Sequence, residues 1–271
     1  MLRSMYSGVS GMRGFQTKLD VIGNNIANVN TVGFKSGRVM FKDIMSQTVA
    51  GVTAPTDETG GINARQIGLG VSIGSIDTLH TGGSAQTTNN PLDLRIDGDG
   101  FFMVTLNDEQ EVPFLTRAGD FHLDANRRLV TSDGLLVCNA DGEPLEAIED
   151  DVTAFSIGAN GIIMQKLNTG ATEEGQTIGL AKVTNPEGLE KIGGNLYRTT
   201  LNAQNGELVM SAPNSQETGT GALVPGQLEM SNVDLTGEFT EMIVAQRGFQ
   251  ANSRIITTSD EVLQEVVNLK R

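Results

Sequence analysis

Residues 2–29 read LRSMYSGVSGMRGFQTKLDVIGNNIANV, and residues 235–269 read LTGEFTEMIVAQRGFQANSRIITTSDEVLQEVVNL. Neither stretch contains proline, and both carry apolar residues at the three- and four-residue spacing that gathers them on one side of an α-helix. In the first stretch the stripe is Leu2, Met5, Val9, Met12, Leu19 and Ile26, flanked by Phe15, Ile22 and Val29. In the second it is Leu235, Phe239, Met242, Phe249, Ile256, Leu263 and Val267, with Gln246, Ser253 and Asp260 at intervening seam positions. Asp234 stands where a carboxylate accepts from the free amides of a first helical turn. At 1.5 Å per residue the two helices would measure roughly 40 Å and 50 Å, enough to lie antiparallel along most of their length. Gly8, Gly11, Gly14 and Gly23, with Gly237 and Gly248, each weaken a helix by about 1 kcal/mol against alanine. Such helices are expected to order by packing, and a chain with two of them at its ends is predicted to associate with copies of itself.

Between the helices the periodicity changes. Leu92-Asp93-Leu94-Arg95-Ile96-Asp97 alternates as a strand does, Gly98-Asp99-Gly100 turns, and Phe101-Phe102-Met103-Val104 follows as an apolar run. Further short candidates are 112–116, 121–123, 129–131, 135–138, 154–157, 161–164 and 177–183, with Asp133-Gly134 and Asn160-Gly161 as hairpin signals. The spacing predicts a small barrel or sandwich. Residues 66–73 read as one more strand, and 46–65 as an extended loop. The fold class is therefore α+β: N- and C-terminal helices pairing as an α-helical coiled coil, with a β-rich, barrel- or sandwich-like central domain. The expected division is 1–29 with 233–271 as the helical domain, 30–84 with 214–232 as a connecting region, and 85–213 as the β-rich outer domain.

The 271 residues carry a net charge of −14, unevenly distributed. Residues 1–47 hold six basic and two acidic side chains, residues 234–271 four basic and six acidic, and the middle is strongly acidic. An acidic middle repels phosphate, so no nucleic-acid partner is expected. The basic residues Lys35, Arg38 and Lys42 read as a solvated or salt-bridged patch. No run of roughly 18 apolar residues occurs, so no membrane insertion is expected. No cleavable secretory signal is visible at the start either. The lone cysteine, Cys138, sits in an apolar strand-like run and reads as a buried structural thiol.

Catalytic and metal motifs fail on context. Gly70-Val71-Ser72-Ile73-Gly74 matches the spacing of a nucleophile elbow but is followed by strand-like sequence where a helix is required. His80 and His122 are the two histidines and have no nearby cysteine, and His122 alternates with Phe121 and Leu123 toward a surface or rim position. Asp97-Gly98-Asp99-Gly100 lacks the later ligands of a calcium loop. No catalytic residue, cofactor or metal is expected.

Residues 20–35, DVIGNNIANVNTVGFK, closely resemble the N-terminal signature of the bacterial flagellar rod and hook axial proteins. Residues 92–102 and Thr116-Arg117-Ala118-Gly119-Asp120-Phe121 resemble that family's central motifs. Residues 226–235, GQLEMSNVDL, resemble its C-terminal signature, followed by Glu241-Met242-Ile243-Val244-Ala245-Gln246-Arg247. The resemblance implies a non-enzymatic subunit of a helical tube with a central export channel, the paired terminal helices forming the inner layer and the β-rich middle facing outward. It marks Asn24, Asn25, Asn28, Gly33, Phe34, Ser231, Asn232 and Asp234 as signature residues. It also implies these partners: further copies of the chain, other rod, hook and hook–filament junction proteins, a hook or rod cap, and the type III export apparatus. Export would then proceed without a cleaved signal, to the cell envelope or beyond. The chain has no room for the large extra outer domain of the enteric-type hook protein, a trait that short hook proteins share, and the ending Val266-Val267-Asn268-Leu269-Lys270-Arg271 is more hook-like, so the resemblance points to a short hook subunit, the universal joint that transmits torque from rod to filament. The segment 46–65 is like the extra segment of the distal rod protein, the alternative. A wall-remodelling hydrolase is the remote alternative.

Overall fold

A computed structural model describes residues 2–55, 60–107, 112–149, 151–168, 170–206 and 208–269, with the side chain of Leu2 outside the described residues. The predicted stripe member Leu2, and the last two residues of the hook-like ending, therefore carry no structural statement. The chain divides into two compact units, one formed by residues 1–27, 37–78 and 234–271 and the other by 28–36 and 79–233. In this division the segment 37–78 goes with the helices. Residues 30–36, 79–84 and 214–232, expected as connecting region, go with the β-rich part, as do 28, 29 and 233, expected with the helices.

In the helical unit, α1 spans Leu2–Ala27 and α2 spans Leu235–Asn268. Asp234 caps α2 as the sequence predicts, its side chain accepting from the Thr236 amide at 3.0 Å. The helices run antiparallel. Gly8 lies by Ile256, Gly11 by Asn252 and Phe15 by Gly248, Lys18 pairs with Glu241, and Asn25 donates to Glu238. A β-carbon on Gly11 would stand 3.0 Å from the Asn252 side chain, and one on Gly248 would stand 2.6 Å from the Phe15 ring.

The seam between the helices sets glycines against large side chains of the predicted stripe and its flank, Gly8 against Ile256 and Gly248 against Phe15. Met5, Val9, Met12, Leu19 and Ile26 are half-buried and Ile22 is buried. On α2, Met242, Ile256 and Leu263 are half-buried, while Leu235, Phe239, Phe249 and Val267 are exposed. Among the described residues Ala245 is the one buried side chain of α2. The physical reason is that glycines let two backbones approach where large side chains would hold them apart, so the close contacts fall on the small-residue face.

Strands Gly37–Asp43 and Val71–Thr78 pair antiparallel beside the helices, with a bulge after Met40. Strands Ser46–Ala50 and Arg65–Gly68 pair as a two-stranded ribbon, exposed at every one of their residues. The single strand predicted over 66–73 is two, divided at Gly70, whose φ of +131° breaks the ladder.

The β unit is built around the strand Phe101–Thr105, buried along its whole length. Side chains alternate across it: Phe102 and Val104 enter one apolar core with Leu94, Ile96, Phe121, Val137 and Ile178, and Phe101 and Met103 enter another with Leu115, Cys138, Ala181 and Tyr197. A strand covered on both faces has no polar positions, which is why Phe-Phe-Met-Val reads as an unbroken apolar run. It pairs antiparallel with Phe114–Thr116, Leu136–Val137 and Leu180–Lys182. Strands Val152–Ile157, Ile162–Leu167 and Thr172–Thr177 form a separate three-stranded sheet. Strand Val209–Ser211 pairs with Leu180–Lys182, and Ala222–Pro225, within the expected connecting region 214–232, pairs with Leu94–Asp97.

Candidate assembly site

Within the β unit three stretches that are far apart in sequence come together: residues 28–36, 79–84 and 226–233. Strand Gln227–Glu229 pairs with Ala85–Thr87, and the Met230 amide donates to the Ser84 carbonyl at 2.9 Å. The Gly33 amide donates to the Glu229 carbonyl at 2.7 Å. The Ser36 amide donates to Asn232 Oδ1 at 2.8 Å, while Asn232 Nδ2 donates to the Leu79 carbonyl at 2.8 Å and to Thr81 Oγ1 at 2.9 Å. One amide side chain therefore supplies the hydrogen bonds that a strand would otherwise have provided between two loops.

At the centre is a buried ion triad. Glu229 Oε1 accepts from Lys35 Nζ at 2.6 Å and from the Gly83 amide at 3.0 Å, and Oε2 accepts from Arg117 at 3.3 Å. Lys35 also donates to the Thr81 carbonyl at 2.7 Å, and Arg117 to the Gly98 carbonyl at 3.0 Å. All three side chains are more than nine-tenths buried. Burial pushes the Glu229 carboxyl up, but Arg117 and Lys35 together outweigh that and hold it below its ordinary value. Breaking such a group by removing one member leaves a buried charge without its counter-ion, which costs about 3–5 kcal/mol.

Aromatic rings close the site. The Arg117 guanidinium lies 5.1 Å from the Phe101 ring centre, and Lys191 lies 4.5 Å from that of Phe34 while donating to the Lys35 carbonyl at 2.8 Å. His80 packs against Phe101 and Tyr197 at centroid distances of 5.7 and 5.4 Å. Burial, reinforced by Lys35, Arg117 and Lys191, presses its pKa to about 4. Gly33 takes a φ of +68° with its α-carbon against the Arg117–Ala118 backbone, where a β-carbon would stand 2.6 Å from the Ala118 nitrogen. Only glycine fits there. Asn195 Nδ2 donates to the Val32 carbonyl at 2.8 Å and fixes the same turn.

The signature residues thus divide between the two units. Gly33, Phe34, Ser231 and Asn232 belong to this site, and the Thr31 hydroxyl donates to Asn28 Oδ1 at 3.1 Å. Asn25 and Asp234 act in the helical unit. Asn25 is buried, donates to the Gly37 carbonyl at 2.9 Å and accepts from the Gly37 amide at 3.0 Å. Asn24 is on the exposed side of α1.

The structure places the remaining residues singled out in the sequence as follows. Of the two readings of Lys35, solvated or salt-bridged, the structure shows the second, with the pair buried and its counter-ion 194 residues away. Arg117 and Glu229 were not predicted as site residues. The available signal was that Lys35, Arg117 and Glu229 each place a charge inside one of the three signature motifs. His80 is half-buried among aromatics, whereas His122 is exposed on the strand His122–Leu123. Cys138 is fully buried and its thiol is pushed up to about 12, so the thiolate that reacts is suppressed. Ser72 lies within the strand Val71–Thr78 with no helix following it.

Comparison with known proteins matches each end and the middle. The flagella basal body rod protein family model covers residues 5–35, the flagellar hook protein FlgE/F/G D1 domain model 95–165, and the flagellar basal body rod FlgEFG protein C-terminal model 224–269. The chain is 57% identical to the flagellar basal-body rod protein FlgG of Bacillus subtilis (strain 168), over all of both chains. It is 39% identical to FlgG of Borreliella burgdorferi, again over all of both. The flagellar hook protein FlgE of the latter organism is 29% identical, all of both chains being aligned over 448 positions. The molecule is a structural protein of the bacterial flagellar axis. The chain belongs to the FlgE/F/G family of flagellar rod and hook proteins. The comparisons back the rod reading better than the hook reading.

Proposed function

We propose that the chain is a distal rod subunit, part of the drive shaft of the flagellar basal body. The observation that carries this reading is full-length similarity to rod proteins named FlgG over 272 and 274 aligned positions, against 448 for the hook protein of one of the same organisms. The ribbon of Ser46–Ala50 and Arg65–Gly68 supports it. A two-stranded ribbon with no covered face is marginal alone in water, and Val49, Val52, Ile62 and Ile67 along it are exposed. Neighbouring copies would cover it.

In this reading α1 and α2 pair as a coiled coil and form the inner layer of a helical tube around an export channel, with the β unit outermost. The assembly surface consists of Met5, Val9, Met12, Leu19, Ile22 and Ile26 on α1 with Leu235, Phe239, Met242, Phe249, Ile256, Leu263 and Val267 on α2. Exposed Phe239, Ile243, Val244 and Phe249 support this, because a patch of large apolar side chains on a helix needs a partner. Partners are further copies of the chain, adjoining rod and hook proteins, a rod cap and the type III export apparatus, which takes the subunit without a cleaved signal. The subunit transmits torque and carries out no catalysis. Among the described residues no helix is long and apolar enough to cross a membrane.

Immuno-electron microscopy of isolated hook–basal bodies tests the reading. Label on the straight shaft within the envelope is expected. Label on the curved segment beyond it overturns the rod in favour of the hook.

A further inference from the structure

We propose that Lys35, Arg117 and Glu229 act as a latch that orders residues 28–36 and 226–233 on the β unit together or not at all. Arg117 belongs to the body of the β unit. Lys35 and Glu229 belong to the two stretches that lead covalently into and out of the helical unit. With residues 226–233 displaced, Lys35 and Arg117 would face each other as two buried cations without a counter-ion. With residues 28–36 displaced, Glu229 would keep Arg117 but lose its 2.6 Å partner, and its backbone carbonyl would lose the Gly33 amide. Each half-closed state leaves desolvated polar groups unpaired, so both are disfavoured against fully open and fully closed.

The other bonds run the same way. Residues 28–36 and 226–233 are joined to each other through Gly33 and Ser36, and both are joined to 79–84 through Leu79, Thr81 and Gly83. Residues 28–36 and 79–84 contain no strand, and the ladder of 226–233 is three residues long, Gln227–Glu229 against Ala85–Thr87. The latch therefore opens as one local unit, distinct from the sheet around Phe101–Thr105. Its opening frees the roots of both helices at once, and its closing sets both. The inference concerns one chain in solution and does not depend on whether that chain serves in rod or hook.

Hydrogen exchange on the unmodified full-length monomer is the first test. The amides of Gly33, Ser36, Gly83 and Met230 are expected to exchange through one common opening, with one dependence on denaturant. The Cys138 amide, bonded to Met103 in the sheet, is expected to exchange through a rarer one. Separate openings for 33–36 and 229–230, or exchange of all of them only with Cys138, overturn the latch. Lys35→Met is the second test, since methionine keeps the volume and removes the charge. Exchange at Gly83 and Met230 is expected to accelerate at least tenfold relative to Cys138. Acceleration confined to residues 28–36 shows that the two stretches order independently.

Discussion

The strand Phe101–Thr105 is buried at all five of its positions, whereas α2 buries, among its described residues, Ala245 alone along 34. The β unit closes two apolar cores with its own residues. The helical unit leaves Phe239, Ile243, Val244, Val262 and Val266 facing outward. The contrast teaches where each part gets its stability. Burial of apolar area is the main favourable contribution to folding, and a helix gains most of its own from packing an apolar face. The β unit closes its apolar cores within one chain, whereas the helices leave large apolar side chains that their own unit does not cover.

The contrast breaks if a core substitution in the β unit is no worse than one on a helix face. Phe102→Ala is expected to remove about 3–5 kcal/mol from the unfolding free energy in denaturant titration, because Phe102 is fully buried and stacks edge-on against Phe121 at 5.0 Å. Gly33→Ala should cost about 1–3 kcal/mol from backbone strain, with a further penalty where the new methyl meets Ala118, read as a lowered thermal midpoint of the β unit.

A pH titration sharpens the contrast further, since the pKa of His80 falls from an ordinary 6.5 to about 4 inside the β unit. Between those values the unfolded chain binds a proton that the folded chain refuses. Stability of the β unit therefore falls as pH drops from 6.5 toward 4, and His80→Phe should flatten that part of the profile. Glu229, held below its ordinary 4.5, adds its own loss as pH falls through 4.5 and below. The smallest effect belongs to Phe239→Ser with Phe249→Ser. Monomer stability should stay within about 0.5 kcal/mol of wild type, while sedimentation of assembled tubes is reduced. A large loss of monomer stability in that variant would mean the helix faces are already covered within the chain.

What the sequence shows plainly is what depends on near neighbours. The Asp234 cap, the two long helices, the Asn160-Gly161 turn with Gly161 at φ +77° and the Phe101–Thr105 strand all follow from residues within a few positions. The misread parts depend on distant ones. Strand Ala222–Pro225 lies in a glycine- and threonine-rich stretch and exists because Leu94–Asp97 offers it an edge. Lys35 looks solvent-bound until Glu229 and Arg117 are brought to it. In the helix seam the large residues Ile256 and Phe15 meet glycines, so a glycine that reads as weakness in one helix is a point of closest approach between two.

Asn25 offers one more consequence. Its amide group faces the Gly37 peptide and exchanges two hydrogen bonds with it, one in each direction, 2.9 and 3.0 Å long. The side chain of a helix thereby imitates a peptide link and pairs with the first residue of the strand Gly37–Asp43. A pull along that strand loads both bonds at once, like two stitches side by side, whereas a ladder peeled from its end gives way rung by rung. Exchanging Asn25 for leucine removes both stitches at once and strips the Gly37 peptide of its partner on the helix.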